Sequence, residues 1–236
     1  RQRTDKQWND ELSTIRCQGT TDQMAMLYTS LYHTMINPSV YMDTDHHYRG
    51  LDGNIHVADG FTNYTIFSLW DTYRAQHPLL GLIKTSRNTD MVRSMIAHQQ
   101  QSVHHLLPIW SLMGNEGWCM TGYHAVSVLA DAIVKGADID KTAALNAMVA
   151  TAKCPYYESV GDYMRLGYAP YDKYSTAASN TLEYSYDDFA VYAAAHAVGN
   201  GAVADEFAKR ALYYRNTFDT TKGFASPRKE NGTFKA

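Results

Sequence analysis

Asn180-Thr-Leu-Glu-Tyr-Ser-Tyr-Asp-Asp-Phe-Ala-Val-Tyr-Ala-Ala-Ala-His-Ala-Val198 decides the fold. It holds neither proline nor glycine, and Gly199-Asn200 follows it as a helix stop. Apolar residues lie nearly all the way round, so the predicted helix must be wrapped by other protein rather than laid on a surface. That pattern belongs to a helical assembly.

The 3.6-residue period recurs on both sides. Trp8, Leu12 and Ile15 predict a first helix. Thr21 is read as the N-cap of a second, which carries Met24, Leu27, Tyr28, Leu31, Tyr32 and Met35 and is closed by Asn37-Pro38. Tyr41 to Thr62, rich in Gly, Asp and Asn, is a long structured loop with a hairpin signal at Asp52-Gly53. Phe67 to Ile83 reads as helical with a kink or break at Pro78, and Thr89 as the cap of a helix from Met91 to His105. His124 to Lys135 is closed by Gly136, Asp140 caps Lys141 to Lys153, Val160 to Leu166 ends at Gly167, and Ala202 to Asn216 comes last. These segments give about nine helices, no strand-rich stretch and no fixed-period repeat. The fold class is all-α, an α/α toroid or a helical bundle.

A 236-residue chain that is 45% hydrophobic can bury a sizeable core. Its net charge of −3 gives no basic field to draw in nucleic acid. No apolar run approaches the roughly 20 residues of a membrane span. Cys17, Cys119 and Cys154 form no C-x-x-C pair, so neither zinc nor a disulfide framework is indicated. Eighteen Tyr and four Trp suit a polar ligand with flat apolar faces, such as a sugar; a Tyr-rich core is the plain alternative. Arg1 is not Met, and Asn231 to Ala236 reads as a turn, so residues 1–236 are expected to be an internal segment.

Three constellations could carry chemistry. In Phe67-Ser-Leu-Trp-Asp-Thr-Tyr-Arg74, Trp70 can stack on a pyranose, Asp71 can accept from vicinal hydroxyls, and Arg74 can hold Asp71. The alternative is a core tryptophan beside a surface i,i+3 pair. In Trp110-Ser-Leu-Met-Gly-Asn-Glu-Gly-Trp-Cys-Met-Thr-Gly-Tyr-His124, Glu116 lies between glycines and aromatics, where desolvation could raise its pKa to suit a general acid; a solvated tight turn explains the same residues. In Thr181 to Phe189, Glu183 and Asp187 share a helix face, and with Asp188 they are costly to bury unless paired or used. The ten histidines form no metal-binding spacing, and no phosphate loop or nucleophile elbow is present.

Taken together and in order, these stretches resemble glycoside hydrolase family 92. The resemblance runs from Leu27-Tyr-Thr-Ser-Leu-Tyr-His33 with Asn37-Pro38 and Tyr48-Arg-Gly-Leu-Asp-Gly-Asn-Ile-His56 through Phe67–Arg74 with His77-Pro78, Gly114-Asn-Glu116 with Cys119-Met120 and Gly122-Tyr-His124, to Thr181–Asp188. It covers nearly the whole chain. It implies an extracytoplasmic bacterial exo-α-mannosidase in which an N-terminal β-sandwich precedes an (α/α)6 barrel. It implies calcium-dependent inversion, with mannose-containing glycans such as N-glycans, often α-1,2-linked, as substrates.

By the same resemblance, Trp70, Asp71 and Arg74 bind the substrate, and Glu116 and His124 stand behind them. The Glu-Gly-Asn-Ala-Trp motif expected to hold the general acid, and the motifs tied to calcium and the base, are absent from the 236 residues. This segment is therefore expected to supply binding residues and scaffold, to hold no calcium ligands, and to be inactive alone. Asp45-His-His-Tyr48 and Glu116-Gly-Trp-Cys119 depart from the usual family wording, which bears on linkage or aglycone preference. Two other readings remain at this stage: a different toroid carbohydrate enzyme, and a non-catalytic glycan-binding helical module.

Overall fold

The computed structural model describes residues 2–235; Arg1 and Ala236, the ends of the expected segment, lie outside the described residues. Ten α-helices account for most of the regular structure among them. Helix α1 (Gln2–Leu12) is exposed on most sides and packs its Trp8 edge-on to Tyr32 of α2 (Thr21–His33), with ring centroids 4.6 Å apart. The cap of α2 is Thr20, not Thr21. Only Thr20 has a glutamine three residues on, and the two close a capping box: Thr20 Oγ1 accepts from the Gln23 amide, and Gln23 Oε1 accepts from the Thr20 amide.

Between α2 and the rest lie short ladders. Strand β1 (Ser39–Val40) pairs with β4 (Tyr64–Thr65), and β2 (His47–Arg49) pairs with β3 (Ile55–Val57) around the expected Asp52-Gly53 hairpin. Gly53 takes φ of 79°, which an L side chain rarely adopts. A three-stranded sheet joins β5 (Phe67–Ser68), β6 (Trp110–Leu112) and β7 (Asn115–Glu116). Strands of two or three residues are too short to leave a period-2 pattern.

The expected helix from Phe67 to Ile83 is thus three pieces: β5, α3 (Leu69–Thr72) and α4 (Gln76–Ile83). Pro78 does not break it. It sits in the first turn of α4, where a missing N–H costs nothing, and the break falls at Tyr73 to Ala75. Helix α5 (Thr85–Gln101) starts before Thr89, which is buried in mid-helix rather than capping it.

Helix α6 is Ala125–Val134, and α7 is Lys141–Ala152, with Asp140 capping as expected. Helix α8 is Val160–Leu166, closed by Gly167 at φ of 77°. Helix α9 is Ala177–Ala197, and α10 is Gly201–Arg210, followed by a 3-10 turn at Tyr213–Thr217. The chain ends in β8 (Phe218–Asp219) paired with β9 (Phe224–Ala225), and a bridge between Arg228 and Phe234 closes the Asn231 turn.

From α4 to α7 each helix packs against the next, and α9 lies between α6 and α10. Their shared core includes Met95, Leu129, Met148, Tyr184, Val191 and Phe207. Leu129 is wholly buried, and its truncation to Ala would cost on the order of 2–5 kcal/mol. The wrapping predicted for α9 covers most of its circumference and leaves one stripe open. Its Leu182, Tyr186 and Phe189 remain exposed.

Candidate active site

Three elements converge: α3, the start of α6 and the first turns of α9. Glu183 is their meeting point. Trp70 Nε1 donates to Glu183 Oε1 at 3.2 Å, and Arg74 Nη2 lies 3.9 Å from the same oxygen. Glu183 Oε2 faces His124 Nε2 at 3.4 Å. That distance is an ion-pair contact without hydrogen-bond geometry, so the buried Nε2 makes no hydrogen bond. On the other side of the ring, His124 Nδ1 and Asp187 Oδ1 are 2.8 Å apart. Asp187 also accepts from the Tyr123 amide at 2.7 Å and from Ser127 Oγ at 3.2 Å.

The i,i+4 spacing of Glu183 and Asp187 lets both carboxylates meet one imidazole. The ring is fixed from its face as well: Tyr73 stacks on it, with centroids 4.3 Å apart and planes 13° apart. Arg74 lies over both Trp70 and Tyr73, and its Nε donates to the Trp70 carbonyl.

Burial works against protonation of His124, but the Asp187 and Glu183 carboxylates outweigh it and hold its pKa above the ordinary value. Burial also pushes the Tyr73 phenol up to about 12, so it stays a hydrogen-bond donor at neutral pH. Of the two carboxylates that meet the ring, Glu183 is the one with solvent access: its side chain is 21% exposed, whereas Asp187 is fully enclosed.

Asp188, next along α9, faces the other way. It accepts from Tyr123 Oη, Tyr163 Oη and Arg210 Nε at 2.8, 2.7 and 3.0 Å. Burial pushes its carboxyl up against the pull of Arg210, and the pair locks α6, α8, α9 and α10 together.

Trp70, Arg74 and His124 therefore come together as one cluster. Asp71 is beside it in sequence but turned to solvent, with Oδ2 accepting from Ser68 Oγ at 2.6 Å. Arg74 does not hold Asp71; its guanidinium goes to Glu183 instead. Glu116 stands in the β6–β7 strap. Its oxygens accept from the backbone amides of Ile109, Trp110 and Trp118 at 3.1, 2.7 and 3.1 Å, and His98 Nε2 is 3.5 Å away. Burial raises its pKa while those amides lower it. This wiring seats the strap. Glu183 and Asp187, the carboxylate pair read from the sequence as paired or used, complete the cluster together with Tyr73, which residue type alone did not point to. The i,i+4 carboxylate pair was the available signal, and nothing local pointed from it to His124, which lies some 60 residues away.

The family profile described as the glycosyl hydrolase family 92 catalytic domain matches residues 1–236. The chain belongs to glycoside hydrolase family 92. Within family 92, it resembles an α-mannosidase of Bacteroides thetaiotaomicron with 43% identity and a TM-score of 0.95, over 97% of this chain and 31% of that one. The same mannosidase has been solved in complex with mannoimidazole. An inverting family 92 mannosidase of the same organism is 30% identical over 99% of this chain and 33% of its own, with a TM-score of 0.92. The chain thus spans about a third of the length of these mannosidases. No curated protein matches its sequence.

Among the described residues, no group of three or more His, Cys, Asp or Glu side chains is arranged as a metal shell. The Asp187 and Glu183 oxygens are directed at Tyr123, His124, Ser127 and Trp70, so these side chains do not by themselves fit a calcium site. No described helix is long and apolar enough to cross a membrane.

Proposed function

We propose that this chain is the mannose-binding part of an extracytoplasmic exo-α-mannosidase that removes terminal α-linked mannose from glycans with inversion. The observation that carries the reading is the likeness of 97% of this chain to a mannosidase solved with mannoimidazole. The helices then form part of an (α/α)6 barrel, and the Trp70–Glu183–His124–Asp187 cluster lies at its mouth.

In this reading the Trp70 face forms a wall of the sugar pocket, and solvent-facing Asp71 accepts hydrogen bonds from mannose hydroxyls. Arg74 braces Trp70 and Glu183 rather than Asp71. His124 holds Glu183 in place, and Asp187 fixes the His124 ring. Glu116 supports the pocket through the strap. Inversion needs a general acid and a general base, with a water between the base and the anomeric carbon. Both groups come from residues outside this chain, as do the oxygen ligands of a calcium ion. When bound, calcium would clamp vicinal hydroxyls. An α-1,2-linked mannose of an N-glycan is the proposed substrate.

Incubation of the full-length enzyme with α-1,2-mannobiose, with and without a chelator, tests this. Mannose release that stops with chelator and returns with calcium supports it. A folded enzyme that binds mannobiose without turnover would be a glycan-binding module instead.

A further inference from the structure

His124 Nε2 is buried and makes no hydrogen bond among the described residues. A buried polar atom of this kind is costly unless its charge meets a counter-charge. What faces it is Glu183 Oε2, 3.4 Å away. The other oxygen of the same carboxylate accepts from Trp70 Nε1 at 3.2 Å. An imidazole nitrogen, a carboxylate and an indole thus stand in one line of contacts.

The ring has no room to move. Asp187 Oδ1 holds Nδ1 at 2.8 Å, and Tyr73 stacks on the ring with centroids 4.3 Å apart. The backbone closes another side. A Cβ added at Gly122 would come within 2.7 Å of the ring carbon Cε1 and nearer still to Nε2, so glycine is required there, at φ of 88°. Glu183 is the looser partner: its side chain is 21% exposed, against 1% for His124. A change of charge on the ring is therefore answered by Glu183.

Four charged or titratable side chains face the ring: Tyr73 and Arg74 from the end of α3, and Glu183 and Asp187 from α9. Tyr123, which precedes His124 in the chain, turns its phenol to Asp188 instead. Tyr186 of α9 reaches Tyr73 rather than the ring. The Tyr73 phenol keeps its proton up to about 12. Arginine is charged throughout the working range, and histidine is the side chain that ordinarily titrates near neutrality. The two carboxylates hold the imidazole's pKa above its ordinary value. With Nδ1–H kept on Asp187, the proton that leaves is the one on Nε2. While it is present, the ring attracts Glu183. Once it is gone, a lone pair faces the carboxylate, Glu183 turns to solvent, and Trp70 loses its acceptor.

We propose that the proton on His124 Nε2 latches Trp70 into the mannose pocket through Glu183, so that the imidazolium form of the enzyme binds mannosides and the neutral form binds them poorly. His124 is then a positioning residue that makes substrate affinity conditional on pH. The proposal rests on the mannosidase reading for what Trp70 faces, but the latch itself does not.

The test is the affinity of the full-length enzyme for methyl 1-thio-α-mannoside, a neutral mannoside with a hydrolysis-resistant link, measured by calorimetry as a function of pH. From one pH unit below the imidazole midpoint to one unit above it, the protonated fraction falls about tenfold, and Kd should rise about tenfold with it. In Glu183→Gln the Kd should stay flat over the same span, because the glutamine amide donates to the neutral ring while its oxygen still accepts from Trp70. A flat Kd in the parent, or the same rise in Glu183→Gln, overturns the proposal. If the folded parent binds no mannoside at any pH, the mannosidase reading fails on its own. The latch is then read from Trp70 emission, taken as the difference between the parent and Trp70→Phe. A pH-dependent difference that vanishes in the Glu183→Gln background supports the latch. A difference that is flat in the parent, or that persists with Glu183→Gln, overturns it.

Discussion

Asp187 and His124 meet at 2.8 Å, carboxylate oxygen to Nδ1, with neither side chain more than 1% exposed. The contact fixes the imidazole so that Nδ1 carries a proton. The other nitrogen then faces the Glu183 carboxylate. A lone pair there would repel that carboxylate, so the doubly protonated ring is favoured, which agrees with the raised pKa.

Glu183→Gln should therefore lower the pKa of His124, because it removes one of the two charges that raise it. A ¹H–¹⁵N titration of the imidazole reads the shift. A titration midpoint that stays put would show that Glu183 does not act on the ring.

Asp187→Ala should destabilise the protein by about 3 kcal/mol, since it leaves the Tyr123 amide and the His124 ring without their acceptor in a dry site. Asp187→Asn keeps an acceptor for one of them and should cost less. Urea denaturation midpoints at constant slope give both numbers. A loss below about 1 kcal/mol for the alanine variant would mean that water reaches the site.

Glu116→Gln separates a seat from a catalyst. Glutamine has one acceptor oxygen for three backbone amides, so stability should fall by about 1–3 kcal/mol. Turnover by the full-length enzyme should change less than about tenfold, whereas loss of a general acid removes roughly 10²–10⁴. A loss in that upper range, with stability intact, would restore Glu116 as the acid.

Acid should weaken the fold through His77. This ring is fully buried, with Nδ1 3.1 Å from Asn88 Oδ1 and Nε2 unpartnered, and burial lowers its pKa to about 4. Below its unfolded pKa of about 6.5, the unfolded chain binds a proton that the folded one refuses. This group's contribution is thus present above pH 6.5 and lost as the pH falls towards 4, up to about 3 kcal/mol in all. His124 has the opposite sign: its contribution is present at low pH and fades as the pH rises through its raised folded value. The difference in stability between the parent and His77→Leu across pH 7.5 to 5 isolates the first effect. A flat difference would contradict it.

The sequence pattern of α9 was readable because burial on most sides leaves apolar residues on most sides, and Gly199 marks its end. Asp140 and Gly167 were readable as a cap and a stop for the same reason: the local chemistry alone explains them. Thr89 misled because a threonine buried in mid-helix resembles a cap when the preceding turn, Thr85 to Asn88, is polar. Pro78 misled because a proline in a first turn and one in mid-helix look alike until the start of the helix is known.

At the site, Trp70, Arg74 and His124 were each legible from residue type. Their convergence on Glu183 was not, because α3, α6 and α9 are far apart in sequence and only packing brings them together. The pairing of Asp71 with Arg74 was plausible at i,i+3 spacing, yet the guanidinium finds Glu183 and two aromatic rings, which together hold it better than a solvated carboxylate would.

Asp71→Ala should leave the thermal midpoint of the full-length enzyme unchanged, because the side chain is exposed and its partner is Ser68. Its kcat/KM on α-1,2-mannobiose should fall by at least about a hundredfold, the loss of a charged acceptor to substrate hydroxyls. Near-normal kinetics would remove Asp71 from the pocket.

The most direct test is to follow the mannose first released from an α-mannoside by the full-length enzyme, using ¹H NMR of the anomeric proton before mutarotation. The account predicts β-mannose as the initial product. Initial α-mannose, or no mannose from a folded enzyme supplied with calcium, would contradict it.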